Sequence, residues 1–151
     1  MKIVLATGGF DPVHSGHISY LKAAKEMGDM LIVGLNSDEW LERKKGKSFM
    51  PWNERLSILN NLQMVDEVFT FMDDDDTAIN FIKQVIAHYP NDQIVFANGG
   101  DRKTNNTPEM DVCEELGIEL MWNIGGEKIQ SSSDLVNKAK WGKMVINGQE
   151  I

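Results

Sequence analysis

The chain has 151 residues, of which 42% are hydrophobic, and it carries a formal net charge of -8 at pH 7. This length is close to the commonest size of a domain, so we expect a single domain that buries a sizeable core. The negative net charge argues against nucleic-acid or anionic-membrane partners, because binding to them needs a basic face. No apolar run approaches the ~18 residues of a membrane span and no signal-peptide pattern is present, so we expect a cytoplasmic protein.

Strand and helix patterns alternate along the chain. Short apolar runs between turn signals predict strands at residues 2–7, 30–36, 66–71, 93–98 and 118–123. Apolar residues at helical spacing predict helices at residues 17–27, 38–43, 52–63, 76–89, 108–116 and 132–140. The second and fourth strands are apolar on both faces, which is typical of a parallel sheet covered by helices on each side. We therefore predict an α/β fold: a Rossmann-like, doubly wound, five-stranded parallel sheet with helices on both faces.

The predicted domain takes up residues 1–140, and residues 141–151 form a C-terminal tail. The fold does not explain this tail, and an edge strand, a dimer contact and disorder all stay open. In a doubly wound sheet, ligands bind at the carboxyl ends of the strands, near the point where the strand order reverses. Functional residues are therefore expected in the loops that follow the strands.

The turn after the first strand carries the strongest functional signal. Gly8 and Gly9 allow the backbone to turn sharply and to approach a ligand closely, and a helical pattern begins at His17. A helix N-terminus would present free N–H groups and a partial positive charge to an anion, and His14 and His17 could both donate imidazole hydrogen bonds to it. We interpret this turn as a phosphate site; the alternative is a strand-to-helix turn with incidental histidines.

The run Phe10-Asp11-Pro12-Val13-His14-Ser15-Gly16-His17 resembles the His-x-Gly-His signature of the cytidylyltransferase-like nucleotidyltransferases. That family includes heptose-1-phosphate adenylyltransferases and glycerol-3-phosphate cytidylyltransferases. Four further elements match in the same order, so the resemblance covers about residues 1–138: Asn36-Ser37-Asp38, Arg55, Gly99-Gly100-Asp101 and Ser131-Ser132-Ser133. It implies an enzyme that transfers a nucleoside monophosphate from a nucleoside triphosphate to a small phosphate monoester and releases pyrophosphate.

Such a reaction needs neither a protein nucleophile nor a general base, because a phosphate monoester is largely a dianion at neutral pH, with a second pKa of about 6. The site must hold two anions in line and neutralise the charge that develops on the phosphoryl oxygens. The resemblance also implies Mg²⁺ bound with the triphosphate, with no protein ligand for the metal assigned, and a homodimer.

The resemblance assigns roles to particular residues. The catalytic residues would be His14, His17, Lys47 and Arg55. The nucleotide would be bound by Thr7, Gly8, Gly9, Phe10, Asp11, Gly16, Gly99, Gly100, Asp101, Arg102, Ser131, Ser132 and Ser133. The acceptor substrate would be bound by Lys44, Asp11, Asn36 and Arg55. Several relatives have threonine where this chain has Gly9, so one hydroxyl contact is missing here or is replaced by Thr7.

The segment Arg43-Lys44-Lys45-Gly46-Lys47 places four positive charges in five residues. We expect it to form a mobile loop over the phosphates, with Lys47 at the family's spacing of eight residues before Arg55; a solvated surface run is the alternative. Asp101 could accept hydrogen bonds from the ribose or hold a metal through water, although residues 98–102 could also form a plain turn. Residues 131–133 lie before a helical pattern, and an ordinary serine cap would explain only one of them.

The choice of nucleotide rests on a small difference. Cytidylyltransferases of the glycerol-phosphate type carry Arg-Thr-x-Gly before the serine element, whereas this chain has Asn-Ile-Gly-Gly-Glu-Lys at residues 123–128. The heptose-phosphate enzymes also lack that arginine, so ATP and a sugar 1-phosphate are favoured. A glycerol-3-phosphate-type enzyme that uses CTP is the alternative, and a catalytically silent nucleotide-binding regulatory module is the alternative of another class.

Two further features are predicted to be structural. Four consecutive carboxylates at residues 73–76 precede a helical pattern and are expected to cap that helix and complement its dipole. Cys113, the single cysteine of the chain, lies in an amphipathic run and is predicted to be a buried thiol rather than a nucleophile.

Overall fold

The computed structural model describes residues 1–99, 108–125, 145–146 and 149–150. Its strands are β1 (Lys2–Gly8), β2 (Met30–Leu35), β3 (Glu67–Thr70), β4 (Gln93–Gly99), β5 (Glu119–Ile124), β6 (Val145–Ile146) and β7 (Gln149–Glu150). Its helices are α1 (Ser15–Glu26), α2 (Asp38–Lys45), α3 (Trp52–Asn60), α4 (Ile79–His88) and α5 (Pro108–Leu116). No helix in these ranges is both long enough and apolar enough to cross a membrane.

Five parallel strands form one sheet in the order β3-β2-β1-β4-β5. The central strand β1 pairs on both sides, so that Ile3 lies opposite Met30 of β2 and Ile94 of β4. The chain first adds strands outward on one side of β1 and then crosses to the other side with β4. The order therefore reverses between β1 and β4, and the crevice at their carboxyl ends is the expected ligand position. The predicted α/β fold with a five-stranded parallel sheet is confirmed.

The strands are buried on both faces because successive side chains point to opposite sides of the sheet. On one face, Ile3 and Leu5 pack with Phe81 and Val85 of α4. On the other face, the core consists of Val4, Ala6, Leu21, Ala24, Leu31, Val33, Leu35, Phe10, Leu59 and Ala97. Burying each of the larger aliphatic side chains contributes about 1.5–3 kcal/mol, so both helical layers are held to the sheet by its apolar strands.

The carboxylates of residues 73–76 do not cap α4, and the sequence-based expectation for them is wrong. The helix begins at Ile79, and its N-cap residue, Ala78, makes no side-chain cap hydrogen bond. Instead, Asp75 accepts hydrogen bonds from the N–H and the hydroxyl of Thr77, which forms a local turn, and Asp76 has a positive φ of 60°. Short-range hydrogen bonds of this kind compete with helix formation and delay the start of the helix.

The C-terminal tail contains two short strands, β6 and β7, which pair antiparallel in a separate two-stranded sheet. They are not an edge of the main sheet. The predicted helix at residues 132–140 lies outside the described residues.

Cys113 is buried, with a relative exposure of 1%, as predicted. Burial and the nearby Glu109 carboxylate raise the pKa of this thiol to about 11. At pH 8 only about one thiol in a thousand is then ionised, and the thiolate is the reactive form. We expect native Cys113 to react with iodoacetamide at least about 100-fold more slowly than in guanidinium chloride, with a rate that rises as the pH approaches 11. Equal rates in the two solvents would contradict this burial.

Candidate active site

Two histidines cap the N-terminus of α1. The Nδ1 atom of His14, the N-cap residue, accepts a hydrogen bond from the N–H of Gly16 at 3.1 Å. In return, Nδ1 of His17 accepts one from the N–H of His14 at 3.2 Å. A Cβ atom on Gly16 would lie 2.9 Å from Cε1 of His14, which is too close, so glycine is required between them. The His-x-Gly-His spacing is therefore the spacing of a reciprocal helix cap.

The cap determines which nitrogen of each ring carries the proton. A ring nitrogen that accepts an N–H hydrogen bond does so with its lone pair and therefore carries no proton. In the neutral imidazole the proton then lies on the other nitrogen. We therefore assign the proton of both His14 and His17 to Nε2. The two rings are stacked with centroids 3.9 Å apart, and Phe10 packs edge-on against His17 at 4.9 Å. The arrangement provides imidazole donors at a helix N-terminus, where the helix dipole favours an anion.

Packing explains the glycines of the first turn. A Cβ atom on Gly8 would lie 3.1 Å from the Phe10 ring, and one on Gly9 would lie 2.8 Å from Cδ2 of Leu41. Thr7 lies near the end of β1, opposite Gly34 of β2. The nucleotide contacts expected of Thr7, Gly8 and Gly9 stay predictions.

Arg55 is fully buried and joins three loops. Its Nη1 donates to the carbonyl oxygens of Gly9 and Asn36, both at 2.8 Å, and its Nε donates to the carbonyl oxygen of Met50 at 3.0 Å. Its Nη2 forms an ion pair with Asp38 at 2.6 Å. All three guanidinium nitrogens are thus engaged with the protein. The geometry favours a framework role; the predicted catalytic and substrate-binding roles of Arg55 stay predictions.

The four cations of the basic segment have different surroundings. Residues 43–45 belong to α2 rather than to a loop, and Gly46, with φ 91°, ends the helix. Arg43 bonds to the Asp76 carboxylate at 3.0 Å, and Lys44 lies 4.5 Å from the centroid of the Trp40 ring. Lys45 donates to the carbonyl oxygen of Asp11 at 3.0 Å. Lys47 is exposed and has no ion pair within residues 1–99 and the other described ranges.

Asn36 and Asp11, both predicted to bind substrate, are buried in contacts with other loops. The Asn36 amide donates to Asp73 at 3.1 Å, and Asp73 also accepts hydrogen bonds from the N–H and the hydroxyl of Ser37. This role of Asp73 was not predicted from the sequence, in which its only signal was its place after a predicted strand. The Asp11 carboxylate accepts hydrogen bonds from the backbone N–H groups of Phe49 and Met50.

Of the remaining predicted nucleotide ligands, only Gly99 is among the described residues. Gly99 is the last residue of β4, and the Tyr20 hydroxyl of α1 donates to the carbonyl oxygen of Ala97 at 2.6 Å, which ties the end of this strand to α1. The rest lie outside the described residues: Gly100, Asp101, Arg102, Ser131, Ser132 and Ser133. No group of three or more metal-ligating side chains occurs in the described part of the chain.

Comparisons with known proteins identify the family of the chain. The family model described as cytidylyltransferase-like matches residues 5–140. The chain is 38% identical over 120 residues to the bifunctional protein HldE of Campylobacter concisus, which covers 78% of this chain and 24% of that protein. It is 34% identical over 151 residues to the bifunctional protein HldE of Yersinia pestis, covering 98% of this chain and 28% of that protein. The chain thus spans about a quarter of the length of these relatives.

Among solved structures, a lipopolysaccharide core biosynthesis protein from Thermoplasma volcanium superposes with a TM-score of 0.64 at 32% identity. The match covers 85% of this chain and 99% of that one. The chain belongs to the cytidylyltransferase-like family, as the family model and the relatives show.

Proposed function

We propose that this protein transfers AMP from ATP to a sugar 1-phosphate and releases pyrophosphate. The observation that carries the proposal is the histidine cap of α1, which leaves the proton of both rings on Nε2 at the sheet's switch point. The resemblance of the sequence to heptose-1-phosphate adenylyltransferases supports the choice of ATP and a sugar phosphate. The match to a lipopolysaccharide core biosynthesis protein supports the same class of acceptor.

The chemistry follows from the charges. An oxygen of the acceptor phosphate forms a bond to the α-phosphorus of ATP. The bond between the α-phosphorus and the oxygen that links it to the β-phosphorus breaks. Pyrophosphate leaves with the electron pair and with the Mg²⁺ that accompanies the triphosphate substrate. The protein's task is to align two anions and to stabilise the charge that develops on the phosphoryl oxygens. His14, His17 and the exposed Lys47 supply donors and positive charge for this task.

The assay is pyrophosphate release with Mg²⁺ and ATP, CTP, GTP or UTP, each tested against sugar 1-phosphates, glycerol 3-phosphate and amino-alcohol phosphates. We expect turnover with ATP and a sugar 1-phosphate, and none without an acceptor. Turnover confined to CTP and glycerol 3-phosphate would replace the proposed substrates with the cytidylyltransferase alternative. Tight nucleotide binding with no turnover for any pair would support a regulatory module.

Replacing Lys47 with alanine is expected to lower kcat about 10- to 1,000-fold with a smaller change in the KM for ATP. The reason is that an exposed ammonium on a loop can approach the transferring phosphoryl group, where charge grows in the transition state. The measurement is steady-state kinetics, with Lys22→Ala on the exposed side of α1 as the matched control. A rise in KM alone would show that Lys47 binds ground state and transition state equally.

A homodimer and a cytoplasmic location complete the proposal. Both come from the sequence analysis, and light scattering of the purified protein measures the first.

A further inference from the structure

The loop between α2 and α3, residues 46–51, carries Lys47 and is attached to the protein at both ends. At its start, the N–H of Gly46 donates to the carbonyl oxygen of Glu42 at 2.8 Å. At its end, the carbonyl oxygen of Pro51 accepts from the N–H of Arg55 at 3.2 Å. The exposed Lys47 lies between these attachments.

One buried carboxylate, that of Asp11, accepts two backbone N–H groups from the middle of this loop. The N–H of Phe49 donates to Oδ2 of Asp11 at 2.6 Å, and the N–H of Met50 donates to Oδ1 at 2.5 Å. The ammonium of Lys45 lies 3.9 Å from Oδ2 and also donates to the backbone oxygen of Asp11. Hydrogen bonds to an ionised acceptor are shorter and stronger than neutral ones, and each oxygen here accepts one N–H.

Burial makes this contact strong and specific. Asp11 is 1% exposed, and a buried carboxylate is tolerated only where hydrogen bonds and positive charge compensate for lost hydration. The Phe49 side chain, in contrast, is 51% exposed, so the loop is not held by burial of its own aromatic residue. The Asp11 carboxylate therefore holds the backbone N–H groups of Phe49 and Met50, while Arg55 Nε binds the carbonyl oxygen of Met50 at 3.0 Å.

We propose that Asp11 is a positioning residue that latches residues 46–51 and thereby sets the place of Lys47 relative to the histidine cap. Asp11 precedes His14 by three residues, so one short segment carries both the cap and the latch. The latch itself rests on the contacts described above, whereas its effect on turnover rests on the proposed function. Lys47 would then reach the phosphates from a fixed loop, and its loss of freedom would be compensated by the two amide hydrogen bonds.

Amide hydrogen exchange of the unaltered protein tests the latch without any substitution. We expect the N–H groups of Phe49 and Met50 to be protected at least about 100-fold relative to an unstructured peptide. The N–H groups of Lys47 and Ser48, for which the described residues show no acceptor, are expected to exchange rapidly. Exchange of Phe49 and Met50 as fast as that of Lys47 would overturn the proposal.

Limited proteolysis of Asp11→Asn tests it a second way. An asparagine can accept with its oxygen but presents an NH₂ group to the second N–H, so one hydrogen bond is lost. We expect trypsin to cleave after Lys47 at least about 10-fold faster than in the unaltered protein. The matched control is Asp29→Asn, which removes a carboxylate that accepts the N–H of Lys2 at 2.8 Å, far from the loop. An unchanged rate after Lys47 would overturn the latch. An equal increase after Lys22 and Lys83 would show global unfolding of the variant, and hydrogen exchange of the unaltered protein then decides.

A double-mutant cycle with Lys47 tests the effect on turnover. Asp11→Asn is expected to lower kcat about 10- to 100-fold, because a small misplacement of a catalytic group costs about that much. In the Lys47→Ala background the same change should lower kcat less than about 3-fold, because the effect acts through Lys47. An equal loss in both backgrounds would refute positioning through Lys47. If no substrate pair shows turnover, the proposed function fails, and exchange and proteolysis still decide the latch.

Discussion

Substitution of His17 by alanine is expected to lower kcat at least about 100-fold while leaving the fold intact. In the proposed reaction, Nε2 of His17 donates to an oxygen on which negative charge grows, and loss of one preorganised donor of this kind costs about 100- to 1,000-fold in turnover. The measurement is the pyrophosphate-release assay, together with circular dichroism and thermal unfolding of the variant.

The structure shows that this substitution also removes a helix cap, because Nδ1 of His17 accepts the N–H of His14. A lost cap typically costs about 1 kcal/mol of stability. His17→Asn separates the two effects, since its side-chain oxygen can accept the cap hydrogen bond but supplies no donor at the place of Nε2. We expect both variants to be slow and His17→Asn to be the more stable of the two.

The control for His17 is His88→Ala, which alters an exposed histidine at the end of α4. We expect the kcat of this variant to equal that of the unaltered protein. Near-normal turnover of both His17 variants would remove this histidine from the mechanism.

Substitution of Arg55 by methionine is expected to lower the free energy of unfolding by about 3–5 kcal/mol, the usual cost of removing one partner from a buried ion pair. The change leaves Asp38 without its partner and removes the donor to the carbonyl oxygens of Gly9, Asn36 and Met50. Asp38 keeps a third of its side chain in contact with water, which relieves part of this cost. Urea unfolding measures the free energy.

The matched control is Arg43→Met, which removes an exposed ion pair with Asp76 and one hydrogen bond to the carbonyl oxygen of Asp73. An exposed pair contributes about 0–1 kcal/mol and a hydrogen bond about 1 kcal/mol, so this variant should lose less stability than Arg55→Met. If the two variants lose equal stability, the buried hydrogen bonds of Arg55 do not hold the loops together. If folded Arg55→Met retains its kcat and KM, a direct role of Arg55 in binding substrate is also contradicted.

The elements of the fold were predictable because their signals are local. All five strands of the main sheet lie within a few residues of the predicted positions, since buried parallel strands appear as short, continuous apolar runs. Among the described helices, the end of α3 and the start of α4 differ most from prediction, by three residues each, and the second difference arose where Asp75 and Thr77 form a turn in place of the first helical residues. A carboxylate can accept a hydrogen bond from a backbone N–H of a local turn or of a helix N-terminus, and the two cases have the same local sequence signal.

The amino-acid sequence by itself determined the α/β fold and the position of the histidine-bearing glycine turn, because their signals lie in residues close together in the chain, whereas the reciprocal cap of His14 and His17 came from the structure. Only the tertiary structure decided which polar residues face one another. Hydrogen bonds join Asp11 to Phe49, Asn36 to Asp73, and Arg55 to Gly9, and the two residues of each pair are separated by 38, 37 and 46 positions in the chain. A carboxylate or a guanidinium has the same chemistry toward a ligand as toward a neighbouring loop. Its partner is therefore known only once the parallel strands have brought their carboxyl ends to one edge of the sheet.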